Sequence, residues 1–469
     1  MRFPTLETLA AFHAALVVIA ASWAFGGNIG WARPALTILG SVGLLITLAA
    51  IRARLRSGDR HSLRVLHLLW PLLGYNALVL LSTLQPAFTA GIIYDAQVLV
   101  PVTSLTAWPC SARPDESLRQ LALFDALFLP AFNLLLAVRS RRVLRGLLLT
   151  VAANALLLAV FGTLQKLVHA PGLFFGTVPS PNKTFFASFI YHNHWGAFVL
   201  LLLAAMLGLI FHKTTPAHNQ RDLWHSPAFL GVVAALALAA TAPLSTSRST
   251  TALAVLLLAV ALIHALCRLR RSRSAAGRSS TAPRIALIIG VLIVAFAIFD
   301  LARPMIAARA ADTQSQLAAM RATGGIGSRA QLYADTWRMA ADRPLFGWGL
   351  GSYPTVFQTY NSQKSTDNLP LFYVDAHSDW LQSLAETGFT GTLLLGLLIL
   401  IPAGLAVRLR PGPLPAYLLA GCCLVLLYAW IEFPFGCPAV VATFWLCLFA
   451  ATRFAQLDAH GRPARTPAP

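Results

Sequence analysis

The chain predicts an all-α polytopic integral membrane protein of about twelve transmembrane helices with one long helical outer loop. Three observations carry that prediction. Of 469 residues, 57% are hydrophobic and 11% charged, against about 25% charge in soluble domains, and the mean hydropathy is +0.67. Apolar runs of the length that a helical span needs, about 20 residues, recur along the chain. The basic residues fall in the connections between runs and concentrate on alternate sides of them.

The runs lie near 9–26, 34–51, 65–84, 119–138, 144–165, 192–211, 227–244, 250–268, 285–302, 391–407, 414–431 and 438–453. With the N-terminus in the cytoplasm, the inner connections hold 23 of the 36 Lys and Arg residues and the short outer ones 6. The other 7 lie in 303–390, a loop long enough to translocate regardless of its charge. The net charge of +19 therefore expresses orientation, with anionic membrane lipids rather than nucleic acid as the partner. Four regions follow: spans one to nine over 1–302, the outer loop over 303–390, spans ten to twelve over 391–453, and a basic, Pro-rich, disordered cytoplasmic tail over 454–469. Reading the first run as a cleaved signal would invert every side assigned above, and a multi-span chain needs none.

Taken in order, the first three spans carry no ionisable residue at their centres except His67. Asp115-Glu116-Ser117 opens span four like a helix start, and Asp125 lies a turn or two inside it. That carboxylate is either functional or satisfied by a neighbour or the headgroups. At the head of span six, His192 and His194 have the spacing of a minimal metal pair but no accompanying Cys or carboxylate, which favours a polar cavity lining, and Trp195 suits an interfacial belt. Spans seven and eight are joined outside by Leu244-Ser245-Thr246-Ser247-Arg248-Ser249-Thr250. Arg248 there reads as a snorkelling end residue or as a fixed fork for phosphate oxygens. Its position against the inner bias of Arg favours the fork. Of six cysteines, only Cys110 and Cys437 fall outside, where pairing between them is open.

The outer loop is the polar centre of the chain. After Ser328, a stripe of Ala330, Tyr333, Ala334, Trp337 and Ala341 predicts a helix that stops before Pro344, whose ring pushes Arg343 out of the helical region. A second helix starts after His377, capped by Ser378 or Asp379 and stopped by a left-handed Gly388. His377 then stands at a positive helix end, which welcomes an anion and favours the neutral imidazole, able to take a proton. Gly347, Gly349 and Gly351 follow a helix and a Pro and lack the Lys of a phosphate loop, so they read as a turn. Glu432 lies at a further outer turn, in Trp430-Ile431-Glu432-Phe433-Pro434-Phe435.

Asp375-Ala376-His377-Ser378-Asp379-Trp380-Leu381-Gln382, with Glu386-Thr387-Gly388, resembles the His-Asn-Asp-Tyr-Leu-Gln and Glu-x-Gly signature of the bacterial O-antigen ligase and O-antigen polymerase superfamily. Three further stretches agree in order. Ser247-Arg248-Ser249-Thr250 is similar to the Ser-Arg-Ser/Gly motif of that superfamily, and Arg329 with Trp337 and Pro344–Gly351 is similar to its Arg, Trp, Pro-x-x-Gly-x-Gly run. Tyr191–Ala197, which holds Asn193 and His194, resembles its Asn-x-Asn-His-x-x-Ala segment. The likeness spans about 150–450. Ser378 replaces the usual Asn and Trp380 the usual Tyr or Phe, which bears on the acceptor more than on the chemistry.

The resemblance implies a membrane glycosyltransferase of the bacterial inner membrane with its long loop and active site on the periplasmic side. Its donor would be a glycan on undecaprenyl diphosphate and its acceptor a glycan or lipid A-core sugar, with no metal or other cofactor. By motif, Arg248 and Arg329 would hold the diphosphate and His377 would be the base, with Asn193, His194 and Asp379 as further substrate-binding positions. Polymerase or protein O-oligosaccharyltransferase activity is equally open to the pattern. A solute carrier of the bicarbonate kind is the rival class, but transporters place ionisable groups at mid-membrane, and here they lie at the outer surface.

Overall fold

A computed structural model describes residues 5–93, 96–102, 108–213, 227–275, 328–364 and 371–460. Helices dominate: α1 Leu6–Trp23, α2 Ala32–Arg56, α3 Trp70–Thr83, α4 Pro114–Ala137, α5 Arg141–Leu167, α6 His192–Lys213, α7 Pro227–Leu244 and α8 Arg248–Ala275, then α9 Ser328–Asp342, the single turn α10 Tyr353–Val356, α11 Asp379–Arg408, α12 Pro413–Tyr428 and α13 Pro438–His460. Among the described residues, nine helical stretches are long and apolar enough to cross a membrane, and α7 and α12 are shorter apolar helices. The protein is thus an all-α polytopic membrane protein. Eleven of the expected spans have a helix; the run at 285–302 lies outside the described residues.

The core lies where α4, α5, α6, α12 and α13 meet, and α6 and α13 are buried along most of their lengths. Rings from α4 and α13 interlock there: Phe128 stands 4.9 Å from Trp445 and 5.2 Å from Phe449. Close approach of α2 to α4 is made by Gly40, where a Cβ would meet the Ala126 carbonyl at 2.0 Å. In contrast, only 22% of the apolar window of α8 and of α11 is buried, as in helices at the rim of a bundle facing lipid.

Two expectations are corrected and two further features emerge. Phe88–Ile93 and Ala96–Pro101 form an antiparallel hairpin in the connection between α3 and α4. Trp195 is fully buried instead of interfacial, because Thr241 Oγ1 offers its indole an acceptor at 3.1 Å inside the bundle. Cys110 and Cys437, whose pairing the sequence leaves open, do not pair: the Cys437 thiol reaches the Gly26 carbonyl at 3.1 Å, and the Cys110 thiol lies beside the Gly347 carbonyl. The expected tail is helical as far as His460, since Phe454 and Ala455 are buried and carry α13 on past Arg453; 461–469 lie outside the described residues.

Candidate active site

The second loop helix forms as its sequence predicts, capped by Ser378, whose hydroxyl accepts from the Leu381 N–H at 3.4 Å. Gly388, at φ 62° and ψ −170°, then interrupts α11, a conformation open essentially to glycine alone. The interruption frees backbone groups on both sides, and the Pro344–Gly351 turn takes them. Trp348 and Gly349 N–H donate to the carbonyls of Ala385 and Glu386, while Phe389 and Thr390 N–H donate to those of Pro344 and Leu345. The Glu386 carboxylate, buried behind this join, accepts from Gly351 and Tyr353 N–H at 2.9 and 3.0 Å. Turn and helix are thereby locked together by main-chain bonds reinforced by the Glu386 carboxylate, which is the use of the Gly347, Gly349 and Gly388 positions.

His377 stands just before the cap with φ 52°, an uncommon backbone state for a side-chain-bearing residue. It is held from two sides. Tyr333 of α9 donates to its carbonyl at 2.9 Å, and the ring of Phe433 meets its imidazole edge-on at 4.8 Å. The following residues are tied to the α12–α13 connection: Asp379 N–H donates to the Ala429 carbonyl, Asp379 Oδ2 accepts from Phe435 N–H, and Trp380 Nε1 donates to the Leu426 carbonyl. Asp379 thus fixes the segment through Oδ2 while also lining an adjoining cavity.

At the centre of this arrangement is Glu432, which is 3% exposed. Its Oε1 accepts from Arg329 Nη2, and Arg329 Nη1 also bonds the Ile431 carbonyl. Its Oε2 accepts from the Tyr191 hydroxyl at 3.2 Å and lies 3.5 Å from His377 Nδ1, near enough for charge attraction but poorly aligned for a hydrogen bond. Burial pushes the Glu432 carboxyl up, but His377 and Arg329 overcome this and hold it below its ordinary value. From Tyr191 the chain of bonds continues: Asn193 Nδ2 donates to the Tyr191 hydroxyl, and Asn193 Oδ1 accepts from Ser247 Oγ at 2.6 Å. Ser247 immediately precedes Arg248, the exposed first residue of α8. His194 sits deeper, between Asn28 and the Phe433 carbonyl, and His192 bonds Thr184.

The fold thus gathers His377, Arg329 and Asn193 in one polar cluster around Glu432 and Tyr191 and sets Arg248 beside its far end. It leaves Asp125 apart, bonded by Asn76 on α3. No group of three or more His, Cys, Asp or Glu side chains among the described residues could hold a metal ion. The cluster was only partly legible. Glu432 lies 55 residues beyond His377 and carries no local pattern, and its one signal is an acidic residue at an outer turn among aromatics.

A cavity of about 480 Å³ adjoins the cluster. Its polar end is lined by Arg33, Arg113, Glu116, Asp375 and Gln382, and its deep end by apolar side chains such as Leu127, Ile399 and Trp445 from α4, α11 and α13. Asp375 marks the junction with the cluster. Burial pushes its carboxyl up, against the pull of nearby His377 and Arg33. The chamber is thus polyhydroxyl-friendly at its mouth and hydrocarbon-like at its depth.

Residues 232–396 match the family model described as O-antigen ligase, which supports a relationship of that stretch to an O-antigen ligase-related superfamily. The match contains Arg248, Arg329, His377 and the Gly388 break, whereas Tyr191, Asn193 and Glu432 lie outside it. No curated protein matches the chain.

Proposed function

We propose that the chain, whose residues 232–396 match the O-antigen ligase family model, is a glycosyltransferase that moves a glycan from an undecaprenyl-diphosphate carrier to an acceptor hydroxyl on the periplasmic face of the bacterial inner membrane. The observation that carries the reading is the shared carboxylate: Glu432 joins the imidazole of His377 to the guanidinium of Arg329. A base and an anion-binding fork held on one buried group are what displacement of a diphosphate by a hydroxyl requires.

In this reading Arg329, half exposed while paired, and Arg248 receive the diphosphate and neutralise the charge that grows on it as the glycosyl bond breaks. Glu432 keeps Nδ1 of His377 turned inward, so that Nε2 takes the proton of the acceptor hydroxyl as its oxygen bonds the anomeric carbon. The amphipathic cavity beside Asp375 supports an acceptor with sugar hydroxyls and an apolar anchor, and the gathering of polar side chains at one end of the bundle favours an enzyme over a solute carrier.

The test is reconstitution. Proteoliposomes supplied with a polyprenyl-diphosphate-linked oligosaccharide and a lipid A-core acceptor should yield ligated product without added nucleotide sugar. Formation of donor-on-donor polymer instead would assign polymerase activity, and turnover of neither kind with either acceptor would refute the proposal.

A further inference from the structure

At the end of the bundle remote from His377, a second cavity of about 470 Å³ opens where α4, α11 and α13 end and the His61–Leu69 segment leads into α3. Its floor is apolar, with Val65, Leu68, Leu135, Leu405 and Leu457. Its rim is basic: Arg64, Arg139 and Arg453, with His61, and no carboxylate lines it. Two acids lie near the rim: Asp59 is held by Arg54 and Ser62 and pairs loosely with Arg139 at 3.7 Å, and Glu7 accepts from the Arg139 and Ser140 N–H groups. Arg453 uses Nε on the Val138 carbonyl, which fixes it at the rim within electrostatic reach of Arg54 and Arg139. Arg64 is exposed and makes no hydrogen bond or ion pair among the described residues.

Three guanidinium groups ring an apolar floor with Asp59 as a distant partner of Arg139 at 3.7 Å, so an anion at the rim would relieve their mutual repulsion. Inorganic phosphate would satisfy the rim and leave the floor empty, whereas a phospholipid fills both. A second feature agrees. His61–Leu69 is a nine-residue 3-10 segment with no buried residue, far longer than the three or four residues usual for that helix. Val65, Leu66, Leu68 and Leu69 pack against the core but stay only partly buried, so a bound molecule against Val65 and Leu68 would cover what the chain leaves open.

We propose that this cavity is a binding site for one anionic phospholipid, its phosphodiester between Arg64, Arg139 and Arg453 and an acyl chain along Leu135, Leu405 and Leu457. The lipid would brace the C-terminal end of α11, the helix whose N-terminus follows His377. On the charge-derived orientation it belongs to the cytoplasmic leaflet, where anionic lipids meet basic rims. The proposal does not depend on the transfer reaction.

The experiment uses full-length protein in phosphatidylcholine nanodiscs and follows thermal unfolding while phosphatidylglycerol is titrated in. Wild type should be stabilised saturably. Each Arg near the surface is worth about 1 kcal/mol, so Arg64→Gln should weaken the apparent affinity about fivefold and the Arg64→Gln, Arg139→Gln pair more than tenfold. Arg52→Gln with Arg56→Gln, exposed and away from the rim, should respond as wild type. An equal loss in that control pair, or no loss in the rim variants, would overturn the site in favour of general surface charge. Stabilisation by 50 mM inorganic phosphate alone would overturn the lipid assignment. A photoreactive phosphatidylglycerol supplies a readout independent of unfolding: it should label peptides containing Val65 and Leu405, and labelling that excess phosphatidylcholine displaces as well as phosphatidylglycerol would also refute the proposal.

Discussion

His377 and Glu432 face each other at 3.5 Å, ring Nδ1 to carboxylate Oε2, from segments on either side of the α11–α12 pair. The other carboxylate oxygen holds Arg329, so one buried group positions both partners of the proposed displacement. Glu432→Gln keeps the shape and removes the charge. A hydrogen bond to a charged group is worth about 1.5–3 kcal/mol, so transfer should fall about 10- to 100-fold while the protein still folds. The same carboxyl predicts a pH effect. It is held below its ordinary value, so the stability it contributes is fully present above the ordinary glutamate range near pH ~4.3 and is lost as pH falls through the lowered value. Burial acts against Asp335, yet Ser362 and Arg338 hold it low too, so it contributes with the same sign. Acid thermal-melt profiles of wild type and Glu432→Gln should therefore converge as pH drops; parallel profiles, or wild-type turnover in the variant, would count against the Glu432 role.

Arg248 and Arg329 are expected to need their planar forks. A compact ammonium cannot span two phosphate oxygens as a guanidinium does, so Arg248→Lys and Arg329→Lys should each cut transfer at least about tenfold. Arg338→Lys, whose partner Asp335 lies in the loop helix away from Glu432, should leave it within about twofold. Full activity of both Lys variants at matched expression would remove the diphosphate role.

Much of this was readable in advance, for local reasons. Length and hydropathy locate spans, and Ser378 and Gly388 are a cap and a stop whose chemistry is fixed by neighbours in sequence. Resemblance put His377, Arg248 and Arg329 together in function, but it could not supply Glu432, because a long-range pair with an isolated acid leaves no periodicity. Trp195 misled because an amphipathic ring fits an interface or a buried acceptor equally well, and Thr241 decided between them. The 88–101 hairpin did leave a trace, in the β-branched Ile92 and Ile93 of one strand and Val98 and Val100 of the other, which the surrounding polar and Pro residues masked.

Gly388 should tolerate no side chain. A Cβ there would lie 2.4 Å from the Leu345 carbonyl, in a backbone state that other residues avoid. Gly388→Ala should therefore release the Pro344–Gly351 turn and lower both melting temperature and activity, whereas Gly396→Ala, with nothing near its Cβ, should be neutral or slightly stabilising. Equal melting temperatures for the two variants would show that the turn does not depend on the break.

Sidedness can be read with an impermeant thiol reagent on intact spheroplasts. Lys183→Cys, at the His377 end of the bundle, should label, and Ser57→Cys, at the opposite end, only after lysis. Labelling of Ser57→Cys alone would invert the orientation and move the site to the cytoplasm.

The most direct test of the account is His377→Asn in proteoliposomes with a polyprenyl-diphosphate-linked donor and EDTA present. Asparagine suits the segment before a helix and tolerates a positive φ, but it cannot accept the acceptor proton. Positioned proton transfer is worth about 100- to 10,000-fold, or about 3 to 5 kcal/mol of barrier. The account predicts a loss of that size in kcat with donor binding retained; activity within a few-fold of wild type would contradict it.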